Sequence, residues 1–259
     1  MRIAYFLNIC IAGLLLTACS HIADDERLIY VKPAPTVRSV LLEDFTGQRC
    51  INCPKASEEI SALQQQYGED AIIAVGIHAG PLAMHPDSRF VGLATDTGDE
   101  YFDHWHLEYQ PVGLIDRSTP MKYSEWSAKI HEELQKPAPV AIALDPSVNI
   151  ASDLLSIHVM VTATDGNISG KLQVWIVEDR INAFQMMPDG TINDDYIHRH
   201  VFRTTVNGTW GDDVSINEGY VFEHDYKVAL SADWKRENLS VIAFVYDASG
   251  VLQVSKKNL

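Results

Sequence analysis

Residues 40–54 read Val-Leu-Leu-Glu-Asp-Phe-Thr-Gly-Gln-Arg-Cys-Ile-Asn-Cys-Pro. Val40 to Phe45 is apolar enough for a buried strand, and Lys55 to Tyr67 carries Ala56, Ile60, Leu63 and Tyr67 at helical spacing. Cys50 and Cys53 therefore stand at a strand-to-helix turn, two residues apart, an arrangement in which thiols make and break disulfides. If Cys50 caps the helix, free N–H groups and the positive end of the dipole face its sulfur. Arg49 adds a nearby cation, and both favour thiolate over thiol. Pro54 suits the first turn, because the N–H it lacks would have no helical partner there. On this reading Cys50 attacks a disulfide and Cys53 resolves the mixed disulfide that results.

Working outward, Ala71 to Ile77 is an unbroken apolar run, the mark of a parallel strand buried on both faces. A more polar stretch, Ala79 to Tyr109, has room for one or two short helices. Val112 to Ile115 then reads as a strand, and Ser124 as the cap of a helix carrying Trp126, Ile130 and Leu134. From Arg38 to Lys136 the layout is thus βαβ-like. Lys136-Pro137-Ala138-Pro139 reads as a linker. Beyond it the period changes to two, at Val140, Ile142 and Leu144, at Ile157, Val159 and Val161, and at Leu172, Val174 and Ile176. The pattern continues through Val201, Val221 to Leu230, Val241 to Val245, and Leu252 with Val254, with Gly-containing turns between the runs. About seven such strands suggest an antiparallel β-sandwich.

The first eighteen residues have the form of an export signal, with Arg2 ahead of an apolar stretch, Ile3 to Leu16, too short to span a bilayer comfortably. Leu16-Thr17-Ala18-Cys19 resembles the lipobox of bacterial lipoproteins. That resemblance implies cleavage before Cys19 and acylation of its thiol, an anchor worth about 0.8 kcal/mol per buried methylene. Residues 19–37 would then be a tether. Within it, Asp24-Asp25-Glu26 resembles the acidic signals that send Bacteroidota lipoproteins to the cell surface. The chain has a formal net charge of −15, which argues against nucleic acid as a partner and against charge-driven binding to anionic lipid. Of the four cysteines, Cys10 leaves with the signal and Cys19 is capped, so Cys50 and Cys53 are expected to pair in an oxidising compartment.

Glu43 to Cys53 resembles the active-site segment of the thioredoxin family, in which an aspartate six residues before the first cysteine assists proton transfer. Asp44 occupies that place. Tyr109-Gln110-Pro111-Val112-Gly113-Leu114-Ile115 is similar to the thioredoxin segment whose cis-proline faces the two sulfurs, which implies that role for Pro111. More narrowly, the chain resembles the Bacteroidota outer-membrane lipoprotein family named for its twenty-eight-kilodalton member. The matching features are Leu42-Glu43-Asp44-Phe45-Thr46-Gly47, the Cys-Ile-Asn-Cys-Pro turn, Ile77-His78-Ala79-Gly80, His200-Val201-Phe202-Arg203 and Gly208-Thr209-Trp210-Gly211. The resemblance implies an α/β thioredoxin-like domain over 38–136, followed by an all-β immunoglobulin-like sandwich over 137–259. It also implies attachment to the outer membrane by lipid, at its periplasmic face or at the cell surface.

Two departures from the thioredoxin pattern stand out. Arg49 replaces the usual tryptophan before the first cysteine, and the Ala79–Tyr109 stretch lengthens the path from Cys50 to Pro111 enough to cover the disulfide. Two functions of different class follow. One is an envelope thiol-disulfide oxidoreductase using Cys50, Cys53, Asp44 and Pro111 on a protein disulfide. The other is a surface adhesion or binding lipoprotein in which the pair is structural. His78, His85, His104, His106, His198 and His200 lack a ligand spacing that would make a metal site, and the acidic loop Asp189 to Asp195 lacks the ligand order of an EF-hand. No Gly-rich phosphate loop or nucleophile elbow is present, so neither metal nor cofactor is expected. Cys19→Ser is expected to move the protein from the membrane pellet to the soluble envelope fraction, read by immunoblot after fractionation; retention in the pellet would exclude anchoring through that thiol.

Overall fold

The computed structural model describes residues 36–259; the signal segment 1–18, Cys19 and nearly all of the 19–37 tether lie outside the described residues. The run around Val40 forms β1 (Val40–Thr46), followed by α1 (Cys53–Tyr67) and β2 (Ile72–His78), and every residue of both strands is buried. β1 and β2 pair in parallel, Val40 opposite Ile72 through Thr46 opposite His78. α2 (Asp96–His104) occupies the polar stretch, with Thr95 as its cap accepting from the Gly98 N–H. β3 (Val112–Ile115) runs antiparallel to β1, and α3 (Tyr123–Leu134) follows. The α3 cap is Lys122 rather than Ser124, because Glu125 reaches back to the Lys122 backbone N–H and draws the start of the helix two residues earlier.

Ten strands lie beyond residue 139: β4 (Val140–Asn149), β5 (Leu154–Ala163), β6 (Ile168–Glu178), β7 (Ile181–Met186), β8 (Ile192–His198), β9 (Val201–Thr205), β10 (Asp212–Ile216), β11 (Val221–Ala229), β12 (Leu239–Asp247) and β13 (Gly250–Asn258). The three beyond the expected set are β7, β8 and β10. The acidic span 189–195, expected to be a loop, is instead the tip and outgoing strand of a β7–β8 hairpin. Nor is the 136–139 segment a free spacer. Ala138 bridges to Thr36, and the Pro139 carbonyl accepts from the Thr164 and Asp165 N–H groups.

The main sheet runs β13-β12-β6-β9-β2-β1-β3, with β10 added on β6, so strands from both ends of the chain share one hydrogen-bonded surface. Its continuity across the middle depends on β2 and β9, which register at a single pair, Gly76 with Val201, where the Gly76 N–H donates to the His200 carbonyl at 2.8 Å. A second sheet, β11-β5-β4, packs its alternating face (Leu155, Ile157, Val159, Val161, Ala163) on Leu172, Val174 and Ile176 of β6 and Leu239, Val241, Ala243 and Val245 of β12. This is sandwich packing of the β11-β5-β4 sheet on the antiparallel β6–β12 part of the main sheet.

Strand alternation explains how the rest of the core is partitioned. From β1, Val40 and Leu42 face α1 and α3, where Ala56, Ile60, Leu63, Trp126 and Ile130 enclose them. Gly113 of β3 allows this, since a Cβ there would stand 2.4 Å from the Trp126 indole nitrogen. Leu41 and Phe45 face the other way, into a core built with Tyr101 and Phe102 of α2, Trp175 and Val177 of β6, and Phe244 of β12. Glu43 shares that second face, fully buried, 3.6 Å from Nε of Arg117. The Arg117 guanidinium carbon lies 4.3 Å from the Tyr246 ring centre, 4.7 Å from Phe244 and 5.5 Å from Trp175. One cation is thus held against aromatic rings of the β half and a carboxylate of the first strand. Burial pushes Glu43 up to about 7 against the pull of Arg117.

Arg117→Met is expected to lower stability in urea unfolding by about 3–5 kcal/mol at pH 8, by leaving Glu43 buried and unpaired. Adding Glu43→Gln should recover part of that loss; an equally unstable double variant would show that the ring contacts alone matter.

Candidate functional site

Cys50 and Cys53 form a disulfide at the N-terminal end of α1, with the Cα atoms 5.3 Å apart. The helix cap is Asn52 rather than Cys50, and Cys53 is the first helical residue. The turn itself is built from backbone: the Cys50 N–H donates to the Gly47 carbonyl and the Cys53 N–H to the Cys50 carbonyl. Gly47 is required by a close approach, since a Cβ there would stand 2.5 Å from the Leu82 carbonyl group, whose oxygen accepts from the Arg49 N–H. Both cysteines are only 2 % exposed.

Two segments cover the turn. From the Ala79–Tyr109 stretch, Leu93 donates its N–H to Gln48 Oε1 and Val91 accepts from Gln48 Nε2, with Gln48 fully buried. From the β7–β8 hairpin, Gln185 Nε2 donates to the Cys50 carbonyl at 2.9 Å and to the Gly47 carbonyl at 3.3 Å, while the Met186 N–H donates to the Gln48 carbonyl at 2.8 Å. The insertion noticed in the sequence therefore supplies only part of the cover. The rest comes from a hairpin some 135 residues further along the chain, whose polar, exposed β8 carried no apolar alternation to betray it.

Asp44 lies on the α1 side of β1, opposite in direction to Glu43. It is 2 % exposed, its Oδ1 has no hydrogen-bond partner, and burial pushes its carboxyl up to about 7. Pro111 follows a cis peptide from Gln110. Because Val112 registers with Phe45, Pro111 falls opposite the C-terminal end of β1. Gln110 Nε2 secures the same corner by donating to the Thr46 and Ala79 carbonyls. Asp44, Cys53 and the β7–β8 hairpin border a cavity of about 430 Å³ beside α1.

The histidines divide by position. His78, buried at the end of β2, stands 3.3 Å from His198 of β8, Nε2 to Nδ1, and both border the same cavity. Burial holds His78 well below the ordinary histidine range and lowers His198 to about 4, so both rings are neutral at pH 7. This pair spans 120 residues, a contact that residue spacing could not reveal. His200 does not continue the strand with His198; its φ of 55° turns the chain, and its N–H donates to Asp179. His85 contacts Asp99 at 2.7 Å, and His104 ends α2 while His106 lies in the turn after it. Among the described residues no three His, Cys, Asp or Glu side chains gather as metal ligands.

A profile of the outer membrane protein family Omp28 matches residues 98–259, so the Cys50–Cys53 segment precedes the matched part. No curated protein matches the sequence. Among solved structures, HBP35 of Porphyromonas gingivalis superposes with a TM-score of 0.68 at 16 % identity, covering 88 % of this chain and 77 % of that one, a likeness of fold. A domain of the outer membrane lipoprotein Omp28 from Porphyromonas gingivalis is 22 % identical over 47 % of this chain and 88 % of its own, with a TM-score of 0.35.

Asp44 is the site residue whose ionisation is most readily measured. Its folded value lies above that of an unfolded aspartate, so folding favours the protonated form. The stability contributed at acid pH is lost as pH rises from about 4 to about 7. Asp44→Asn is therefore expected to stabilise the protein by roughly 2–4 kcal/mol at pH 8 relative to its effect at pH 3.5. Urea midpoints at the two pH values test this, and equal effects at both would mean that Asp44 ionises as freely in the folded protein as in water.

Proposed function

Because the chain belongs to the Omp28 outer membrane protein family and is therefore an outer membrane protein, we propose that it is held there by lipid on Cys19 and exchanges disulfides through Cys50 and Cys53. Among the described residues no helix is long and apolar enough to cross a membrane. In this reading residues 1–18 are a signal peptide, 19–37 a tether, 38–136 a thioredoxin-like segment, and 137–259 an immunoglobulin-like sandwich that shares the main sheet with it. Support for the thioredoxin-like assignment comes from the order β1, disulfide turn, α1, β2, with cis-Pro111 leading into an antiparallel β3.

The single observation that carries the exchange reading is the buried Asp44 carboxyl, its Oδ1 without a hydrogen-bond partner, on the wall of the cavity that Cys53 also borders. A disulfide that merely staples a turn has no need of a proton acceptor beside it. A loop this short also removes little chain entropy, less than the roughly 3 kcal/mol of a fifteen-residue loop. Asp44, with a value raised to about 7, can both take and return a proton near neutral pH. Pro111 and Gln110 shape the end of β1 on which the turn is mounted. No cofactor enters the chemistry.

A second reading has its own observation: each cysteine is 2 % exposed, and Gln185 and Met186 of the hairpin bond the turn at Cys50 and Gln48. On that reading the protein is a surface adhesion or binding lipoprotein, and the disulfide secures the hairpin's seat. The two differ in reversibility. Equilibrating the full chain in detergent with dithiol buffers of graded potential, without denaturant, is expected to give a reversible two-electron transition at Cys50 and Cys53, measured by alkylation and mass spectrometry. A disulfide that stays oxidised until the protein unfolds would leave the structural reading in its place.

A further inference from the structure

The cover over the turn is uneven, and its unevenness selects a substrate and a sulfur. On the Cys50 side, Gln185 holds the Cys50 and Gly47 carbonyls and the Met186 N–H holds Gln48, so the end of β7 is laid directly on the residues preceding the disulfide. On the α1 side the cover stops at the cavity. Cys53, Asp44, Ser57, Met187, Tyr196 and His198 are among the residues lining it, and Cys50 is not. At about 430 Å³ it falls within the range of small-molecule sites and far below what a folded protein's disulfide loop would need.

We infer that the disulfide is reached through this cavity, that Cys53 is the sulfur an incoming thiolate meets, and that the substrate is a small aliphatic thiol or its disulfide. The inference rests on the exchange reading above and reverses the order of attack expected from the sequence. In the reducing direction a small thiol gives its proton to the Asp44 carboxylate, and its thiolate attacks Sγ of Cys53. The Cys50–Cys53 bond breaks, its electron pair leaving with Cys50 as thiolate. Cys50 precedes the first turn of α1, where the helix dipole stabilises that negative charge. A second thiol loses its proton to solvent, and its thiolate attacks the small-molecule sulfur of the mixed disulfide. It departs as the symmetrical disulfide, and Cys53 takes back the proton from Asp44 while Cys50 is protonated from solvent. Two small thiols are oxidised to one disulfide and one protein disulfide is reduced to two thiols; the oxidising direction is the same sequence reversed.

Variants of the full chain in detergent that keep one cysteine of the pair, C50S and C53S, test the assignment with hydroxyethyl disulfide as probe, the adduct being followed on the tryptic peptide that begins at position 50. Cys53 in C50S is expected to form the mixed disulfide at least about tenfold faster than Cys50 in C53S, although the helix end favours thiolate at Cys50. Ser57→Trp, which fills the cavity, should slow modification of Cys53 about tenfold. Ser61→Trp, on the exposed lip of the same cavity, provides the same test if the first variant does not fold. A long polyethylene glycol maleimide should label neither thiol before urea is added. Faster reaction at Cys50, or no effect of either tryptophan, would overturn the route while leaving exchange itself intact. Absence of any reaction before unfolding would overturn both.

Discussion

The fold turns on Arg117, a guanidinium enclosed where three parts of the chain meet. Glu43 of β1 supplies its counter-charge, Tyr101 of α2 one aromatic wall, and Trp175, Phe244 and Tyr246 of β6 and β12 the others. A guanidinium at such a place is stable only if the carboxylate and the rings are all present, so the interaction is worth little until both halves of the chain have assembled. A comparable arrangement lies nearby at the sheet's end, where Arg38 bonds Asp116 at 2.7 Å and the Val251 and Leu252 carbonyls of β13. Both clusters join residues near the start of the described chain to residues near its end. Apolar burial makes the layers; these charges fix which strands belong together.

The cover of the disulfide follows from that assembly. β7 and β8 are reached only after the chain has left β6, and the β6–β9 pairing sets the hairpin beside β2. From there Gln185 finds two carbonyls of the turn, and His198 meets His78 across the cavity. The access of solutes to a motif in the first quarter of the chain is thus decided by a segment from its last third.

Sequence reading succeeded where burial is two-sided or strictly alternating. β1 and β2 are apolar throughout because both faces are covered, and β5 alternates because one face is covered, so both were legible. The disulfide turn was legible because Cys50, Cys53 and Pro54 are themselves the local instruction. The cap of α1 was misplaced by two residues because no side chain bonds there, leaving nothing but backbone geometry to mark the boundary. β8 and β10 escaped because their side chains are mostly solvent-facing, and the hairpin is seated by long-range hydrogen bonds from Gln185 together with the packing of Ala183 on Leu93 and Val201. What covers the site is tertiary, and no window of contiguous residues contains it.

The junction at Gly76 and Val201 has a consequence in time. The chain emerges from its N-terminal end, so one edge of the buried strand β2 waits, with its backbone groups unpaired, for a partner 125 residues away. Closing so long a loop is slow, and an apolar edge left open is the surface on which unfinished chains join one another. Until residue 201 is in place, that edge is the most adhesive part of the unfinished chain.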